Sequence, residues 1–75
     1  MNDSYQRVTL RIGTEKIDLM VEKDKVASYR AAGKRVNKMF STYRTRCPYF
    51  SVERIYAMTL LACALEEGDN MKSEK

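Results

Sequence analysis

The basic side chains are the residues of this chain best placed to act chemically as a group, and their chemistry is electrostatic. The 75-residue sequence has 14 Lys and Arg against 10 Asp and Glu, a formal net charge of +4. Such charges can dock an acidic protein surface or nucleic acid, or can simply suit the negative C-terminal end of a helix. Five of them fall within residues 34–46: Lys34, Arg35, Lys38, Arg44 and Arg46.

Residues for catalysis or metal binding are not grouped in this sequence. There is no His, so the commonest general base is absent. Cys47 and Cys63 lack the spacing of metal ligands. We expect both to be free thiols in a reducing cytoplasm, because residues 1–4 contain no apolar signal region. The sequence therefore predicts no enzyme, no cofactor and no metal site, and no apolar run reaches the ~20 residues of a membrane span.

Two alternating segments predict a β-hairpin near the N-terminus. Residues 8–12 alternate apolar and polar side chains, and in residues 17–21 the apolar residues Ile17, Leu19 and Val21 again fall on one face. Gly13 can adopt the positive φ that the intervening turn requires. A lone hairpin is marginal in water, so its apolar face must pack against another element. Residues 1–6 are polar, and we expect them to be flexible.

A longer pattern predicts the first helix, from about Asp24 to Arg46. Pro48 ends it, because a proline disfavours helical geometry at the residue before it. Apolar residues recur at gaps of three and four, the spacing of one stripe along about six helical turns. So long a stripe exceeds what the rest of the chain is expected to cover, which predicts a surface for a partner. The stripe consists of Val26, Tyr29, Gly33, Val36, Phe40, Tyr43 and Cys47.

A second helix is predicted from Val52 to about Glu67, with Ser51 as its N-cap. Almost no charge interrupts residues 55–65, which indicates burial on more than one side. Gly68 and the two residues after it predict the helix end, and residues 68–75 are expected to form a polar tail. The fold class is therefore α+β: an N-terminal hairpin and two helices (β-β-α-α), with a long first helix and a dimeric helical core.

One interpretation of this order is a DNA-binding regulator similar to the ribbon-helix-helix repressors. The strand Arg7–Ile12 would then enter the major groove, with Arg7, Thr9 and Arg11 facing bases. The intervening second strand, the length of the first helix and the distance of the basic residues from the strand disfavour nucleic acid. This interpretation stays the alternative.

The second interpretation uses the whole chain, which resembles the bacterial cell-division protein ZapA family over residues 7–67. In the hairpin, Ile12-Gly13 is followed by apolar residues at Ile17 and Leu19. The first helix has Ala31-Ala32 followed by Val36-Asn37. The second helix opens with Ser51-Val52-Glu53-Arg54-Ile55, followed by Leu60-Leu61-Ala62.

This resemblance implies a non-enzymatic, cytoplasmic partner of FtsZ, the tubulin-like division GTPase. Proteins of the family bind FtsZ filaments and bundle them into a division ring at midcell. The domain of residues 7–67 would dimerise and bind FtsZ, and a longer second helix would form a coiled coil that joins two dimers into a tetramer. The positions that match the FtsZ-binding charges are Lys16, Lys38, Arg44 and Arg46.

We expect the apolar faces of both helices to pack against a second chain in a homodimer. The predicted end of the second helix at Gly68 departs from the family, whose second helix continues in heptads, and leaves the choice between dimer and tetramer open. The expected interface residues are Val26, Tyr29, Gly33, Val36, Phe40, Tyr43, Ile55, Thr59 and Ala62.

Overall fold

The N-terminal part of the chain is a β-hairpin, as predicted. A computed structural model describes the backbone of residues 4–72 and the side chains of residues 4–67. Strand β1 spans Tyr5–Ile12 and strand β2 spans Glu15–Glu22, in antiparallel pairing. The strands start earlier than the alternation indicated, so Tyr5 and Gln6 are part of β1 rather than of a flexible segment.

The hairpin turn is formed by two residues, Gly13 and Thr14, and it fixes the register. Gly13 has φ 63° and Thr14 does not adopt a positive φ, the combination of a type II′ turn. The pairing therefore sets Leu10 opposite Ile17 and Val8 opposite Leu19, so the apolar residues share one face of the sheet.

That apolar face packs on the first half of helix α1, which spans Val26–Arg46 after a 3₁₀ turn at Lys23–Lys25. Val8 is 1% exposed and Val21 is 5% exposed. Leu10 and Ile12 lie against the α1 backbone at Gly33, which is itself buried. Helix α1 ends at Arg46, as Pro48 predicted, and the hairpin packs against it at Gly33.

The chain divides into two compact units, one up to Asn37 and one from Lys38 onward. The second unit contains the last turns of α1 and helix α2, which spans Val52–Lys72. Ser51 caps α2 as predicted, because the Arg54 backbone N–H donates to its Oγ at 3.1 Å. Apolar burial between these two helices holds the second unit together.

The core of the second unit is small. Phe40 is 6% exposed, Ile55 is 0% exposed, and the Phe40 ring lies 4.7 Å from the ring of Tyr56. Thr59 is also buried, and its hydroxyl donates to the Ile55 carbonyl at 2.8 Å, so this polar group is satisfied inside the core. Beside it, the Cys63 Sγ lies 3.6 Å from the Met39 Sδ.

One expectation about the helices was wrong. Helix α2 continues through Gly68 to Lys72, because one glycine costs a helix only about 1 kcal/mol and local propensity is a weak constraint. Along the α1 stripe, Gly33 and Phe40 are buried, Val26, Val36, Tyr43 and Cys47 are half-buried, and Tyr29 is exposed. Its use as a surface for a partner stays a prediction. Residues 1–3 and 73–75 of the predicted flexible ends lie outside the described residues.

Candidate partner-binding surfaces

Three of the predicted FtsZ-binding residues lie on the last turns of α1, but they do not form one cluster. At 100° per residue, Lys38 and Arg46 are about 80° apart around the helix. Arg44 lies about 160° from Arg46, on the flank beside the buried stripe. Lys38 and Arg46 are exposed, and neither forms an ion pair with a described residue. They form the outer basic pair of this unit.

Arg44 has a different environment from the outer basic pair. Its guanidinium carbon lies 5.8 Å from the centroid of the Phe40 ring, within the range of a cation–π interaction. The side chain therefore covers a core residue as well as carrying charge. Its substitution would change packing and charge together, so Arg44 is a poor residue for testing a purely electrostatic contact.

Lys16, the fourth predicted residue, lies in the other unit, on the outer face of the hairpin. The register sets it directly opposite Arg11, so two like charges face each other in an exposed position. Two residues farther from the turn on each strand, the Thr9 hydroxyl donates to Asp18 Oδ1 at 2.6 Å across the strands. The outer face of the hairpin is thus a polar surface with its positive charge near the turn.

The predicted oligomer interface divides into covered and accessible residues. Gly33, Phe40, Ile55 and Thr59 are buried within the single chain. Tyr29 is 39% exposed, and the remaining four are half-buried. Participation of these nine residues in a contact between chains stays a prediction, and the accessible ones are those that could still lose surface: Val26, Tyr29, Val36, Tyr43 and Ala62.

A second apolar face of α2 is absent from the predicted interface. Leu60 is 75% exposed, Leu61 63% and Leu65 61%, and Ala57 and Ala64 are exposed beside them. The spacing of these residues makes one continuous stripe, which we call the outer α2 stripe. The signal for it was the uncharged run of residues 55–65, which predicted apolar contact on more than one side of the helix. Exposed apolar patches of this kind are typical of surfaces that bind another molecule.

Asn37, which the sequence analysis quoted only as part of the first-helix motif, has a structural role that was not predicted. Its Oδ1 accepts a hydrogen bond from the Gly13 backbone N–H at 2.7 Å, and its Nδ2 donates to the Arg11 carbonyl at 2.7 Å. One side chain on α1 therefore fixes the end of β1 and the turn. These two hydrogen bonds follow from the folded geometry, and the spacing of residues along the chain does not predict them.

The Lys25 ammonium lies close to the Glu22 carboxylate at the start of α1. A hydrogen bond to the Glu22 carboxylate, followed by the negative charge of that group, raises the pKa of Lys25; the Nζ–Oε1 distance is 3.4 Å. Both cysteines are free and half-buried, and the described residues include no group of side chains able to hold a metal ion. No helix in the described part of the chain is apolar over enough of its length to cross a bilayer.

The fold and these surfaces define a class: a small α+β protein whose exposed features are an apolar helix stripe and basic patches, as in a component of a larger assembly. The family comparison agrees. The family model described as "Cell division protein ZapA" matches residues 8–73, and the chain belongs to this family of cell-division proteins associated with FtsZ. Comparisons with curated proteins and with solved structures found no match. The ribbon-helix-helix alternative loses its support, because the strand Arg7–Ile12 pairs with β2 of its own chain.

Proposed function

We propose that this chain is a non-enzymatic cell-division factor that binds FtsZ filaments and promotes their bundling and division-ring assembly at midcell, in the cytoplasm. Membership of the ZapA family supports the partner. The observation that carries the binding mode is the outer basic pair, Lys38 and Arg46, which is exposed on α1 and has no carboxylate partner among the described residues. Lys16 and Arg44 would supply further positive charge. Such charges would attract an acidic filament surface and accelerate the encounter.

Bundling requires a particle with at least two binding faces, and a homodimer of this chain would provide them. The outer α2 stripe supports this assembly, because burying Leu60, Leu61 and Leu65 would remove apolar area from water at about 25 cal/mol per Å². The accessible residues of the predicted interface would extend the contact. The sequence positions Ala57, Leu61, Ala64, Gly68 and Met71 are spaced four, three, four and three residues apart along α2, which favours a coiled coil. A tetramer would need a second contact between such dimers.

Charge reversal of the outer basic pair tests the proposed binding to FtsZ. We expect Lys38→Glu combined with Arg46→Glu to weaken co-sedimentation with polymerised FtsZ roughly tenfold, because each reversal replaces an exposed attraction worth up to about 1 kcal/mol with a repulsion. Arg44 is kept, so that Phe40 stays covered. Binding of the wild-type chain should also fall as ionic strength rises.

The matched control is Lys23→Glu combined with Arg30→Glu, at two exposed positions of the other unit. Each double reversal changes the formal charge by four, from +4 to 0, so the control separates a local contact from the effect of net charge. Equal loss of FtsZ binding in both double variants would contradict a binding role for the outer basic pair. If the variant with both Lys38→Glu and Arg46→Glu still co-sediments with FtsZ, the contact with FtsZ lies elsewhere on the chain.

A further inference from the structure

The two edges of the hairpin differ, and the edge of β1 is partly closed. At its turn end, the Arg11 carbonyl and the Gly13 N–H point toward α1 and bond to the amide of Asn37, each at 2.7 Å. A side-chain amide has the same donor and acceptor as a peptide group, so Asn37 makes the two bonds that a neighbouring strand would make. A further strand cannot pair with β1 at this point.

Among the described residues, strand β2 pairs only with β1, so its other edge, the open edge of β2, has no strand partner there. With a two-residue turn, Ile12 and Glu15 form a hydrogen-bonded pair, and the bonds then alternate along the ladder. The bond from the Lys23 N–H to the Ser4 carbonyl, 2.8 Å long, shows the same alternation at the other end of the hairpin. The backbone groups that point away from β1 therefore belong to the even-numbered residues of β2, and their side chains are all exposed: Lys16, Asp18, Met20 and Glu22.

We propose that β2 pairs along this open edge with β2 of a second copy of the chain, forming a four-stranded antiparallel sheet across a two-fold axis. The charges along β2 indicate that the partner strand is β2 of a second copy. With the axis at Leu19, Lys16 of each copy lies opposite Glu22 of the other, which gives two opposite-charge pairs in addition to the ion pair of Glu22 with Lys25 of its own chain. In the same register, Ile17, which is 39% exposed, lies opposite Val21 of the other copy.

Other registers of this β2–β2 pairing either oppose like charges or pair fewer residues. Outward-pointing residues must face one another, so only an axis at a residue, and not between residues, makes the hydrogen bonds. An axis at Asp18 sets that carboxylate against its own copy, and an axis at Met20 sets Asp18 against Glu22. An axis at Ile17 pairs Lys16 with Asp18 but shortens the paired segment to residues 15–19. The register at Leu19 joins residues 16–22 with no like charges opposed.

This contact is separate from the proposed binding to FtsZ and from the outer α2 stripe. A two-fold contact is closed, since the same patch is used on both copies. A chain with two different two-fold contacts, one on β2 and one on α2, can join dimers into larger assemblies.

The test uses two single variants and their mixture, followed by sedimentation velocity at matched chain concentrations. Lys16→Glu alone and Glu22→Lys alone each set like charges opposite one another at both pairs, and we expect at least roughly tenfold weaker edge-dependent association. An equimolar mixture of the two variants restores both opposite-charge pairs, and its association should return to that of the wild-type chain. A mixture that associates no better than its separate components overturns the proposal.

Met20→Pro defines which part of the association depends on the edge. The Met20 N–H points away from β1, so proline removes a bond to a second copy without removing one from the hairpin. Met20→Ala is the matched control and should associate like the wild-type chain, and circular dichroism should show both variants folded. If Met20→Pro and the wild-type chain associate equally, the open edge is not the contact. The edge-dependent association is the difference in association between the wild-type chain and Met20→Pro. The substitution changes neither FtsZ binding nor the α2 contact, so neither of them can produce this difference.

Discussion

At the scale of the residue, Gly33 lies in the middle of α1 at a point where a methyl group has room. A Cβ built there would be 3.6 Å from Ile12 Cδ1 and 3.9 Å from Leu10 Cδ2, ordinary van der Waals distances. Glycine costs a helix interior about 1 kcal/mol relative to alanine. We therefore expect Gly33→Ala to raise the free energy of unfolding by about 0.5–1 kcal/mol, measured by urea denaturation.

Gly33→Leu is the informative companion variant, because its larger side chain must displace the hairpin residues and should destabilise the chain by about 1–3 kcal/mol. If Gly33→Ala is destabilising instead, the hairpin approaches α1 more closely than these distances indicate. The same comparison tests whether the glycine serves the contact with the hairpin or, as the apolar stripe suggested, a contact with another chain.

Asn37 shows where prediction from the sequence ends at this scale. Ser51 was identified as a cap because its role depends on residues three positions away. The contact of Arg44 with Phe40 is also local, because residues four apart lie on the same face of a helix. Asn37 instead bonds to backbone groups 24 and 26 residues earlier in the chain. Its role depends on tertiary geometry that periodicity does not contain.

At the scale of the element, α2 has two apolar faces, one buried and one exposed. One face, with Ile55 and Thr59, is buried against the last turns of α1. The opposite face carries the exposed outer α2 stripe. We expect Leu61→Glu to weaken self-association by about 2 kcal/mol, roughly thirtyfold, since it places a charge in an apolar contact. Sedimentation equilibrium measures this change.

Tyr49→Glu is the control for that variant, because it adds the same charge at a residue that is 97% exposed in the connector, away from the stripe. It should leave the dimer unchanged. If Leu61→Glu leaves the dimer dissociation constant unchanged, the outer α2 stripe is not part of the interface. The helical content of the variant shows whether α2 itself is intact.

The elements themselves were largely predictable, because each has a clear period. Alternation gave the two strands and gaps of three and four gave α1, whose end at Arg46 is confirmed. The end of α2 was wrong, since a stop signal based on Gly68 depends on local propensity, which a helix of 21 residues overrides. The second apolar face of α2 was indicated by the uncharged run, but composition alone could not say which side α1 would cover.

At the scale of the whole molecule, the buried core is small and divided. Among the described residues, Val8 and Val21 are buried in the first unit and Phe40, Ile55 and Thr59 in the second. A chain of this size buries only about 60% of its unfolded surface, so its stability alone is marginal. Association of folded chains should supply the remainder.

Thermal unfolding should therefore depend on chain concentration. We expect the Tm to rise as the concentration is increased about a hundredfold, because dimerisation stabilises the folded state by mass action. Circular dichroism melts at several concentrations measure this change. A Tm that stays constant across the series would show that the single chain is sufficient by itself, which would contradict the proposed dimer. Fold class and family followed from the order of elements, whereas the assembly did not, because exposed apolar residues identify a contact without identifying its geometry.

The two-residue turn at Gly13 has a consequence for the time course of folding. It joins strands that are adjacent in sequence, and the connector after Arg46 likewise joins neighbouring helices, so most of the chain's pairing is local. Hairpins form in about 1–10 μs, and chains rich in local contacts fold quickly. Encounter between chains depends on concentration and is slower. Each newly made chain should thus fold first and meet its partner afterwards, with its apolar stripe exposed to water in the interval.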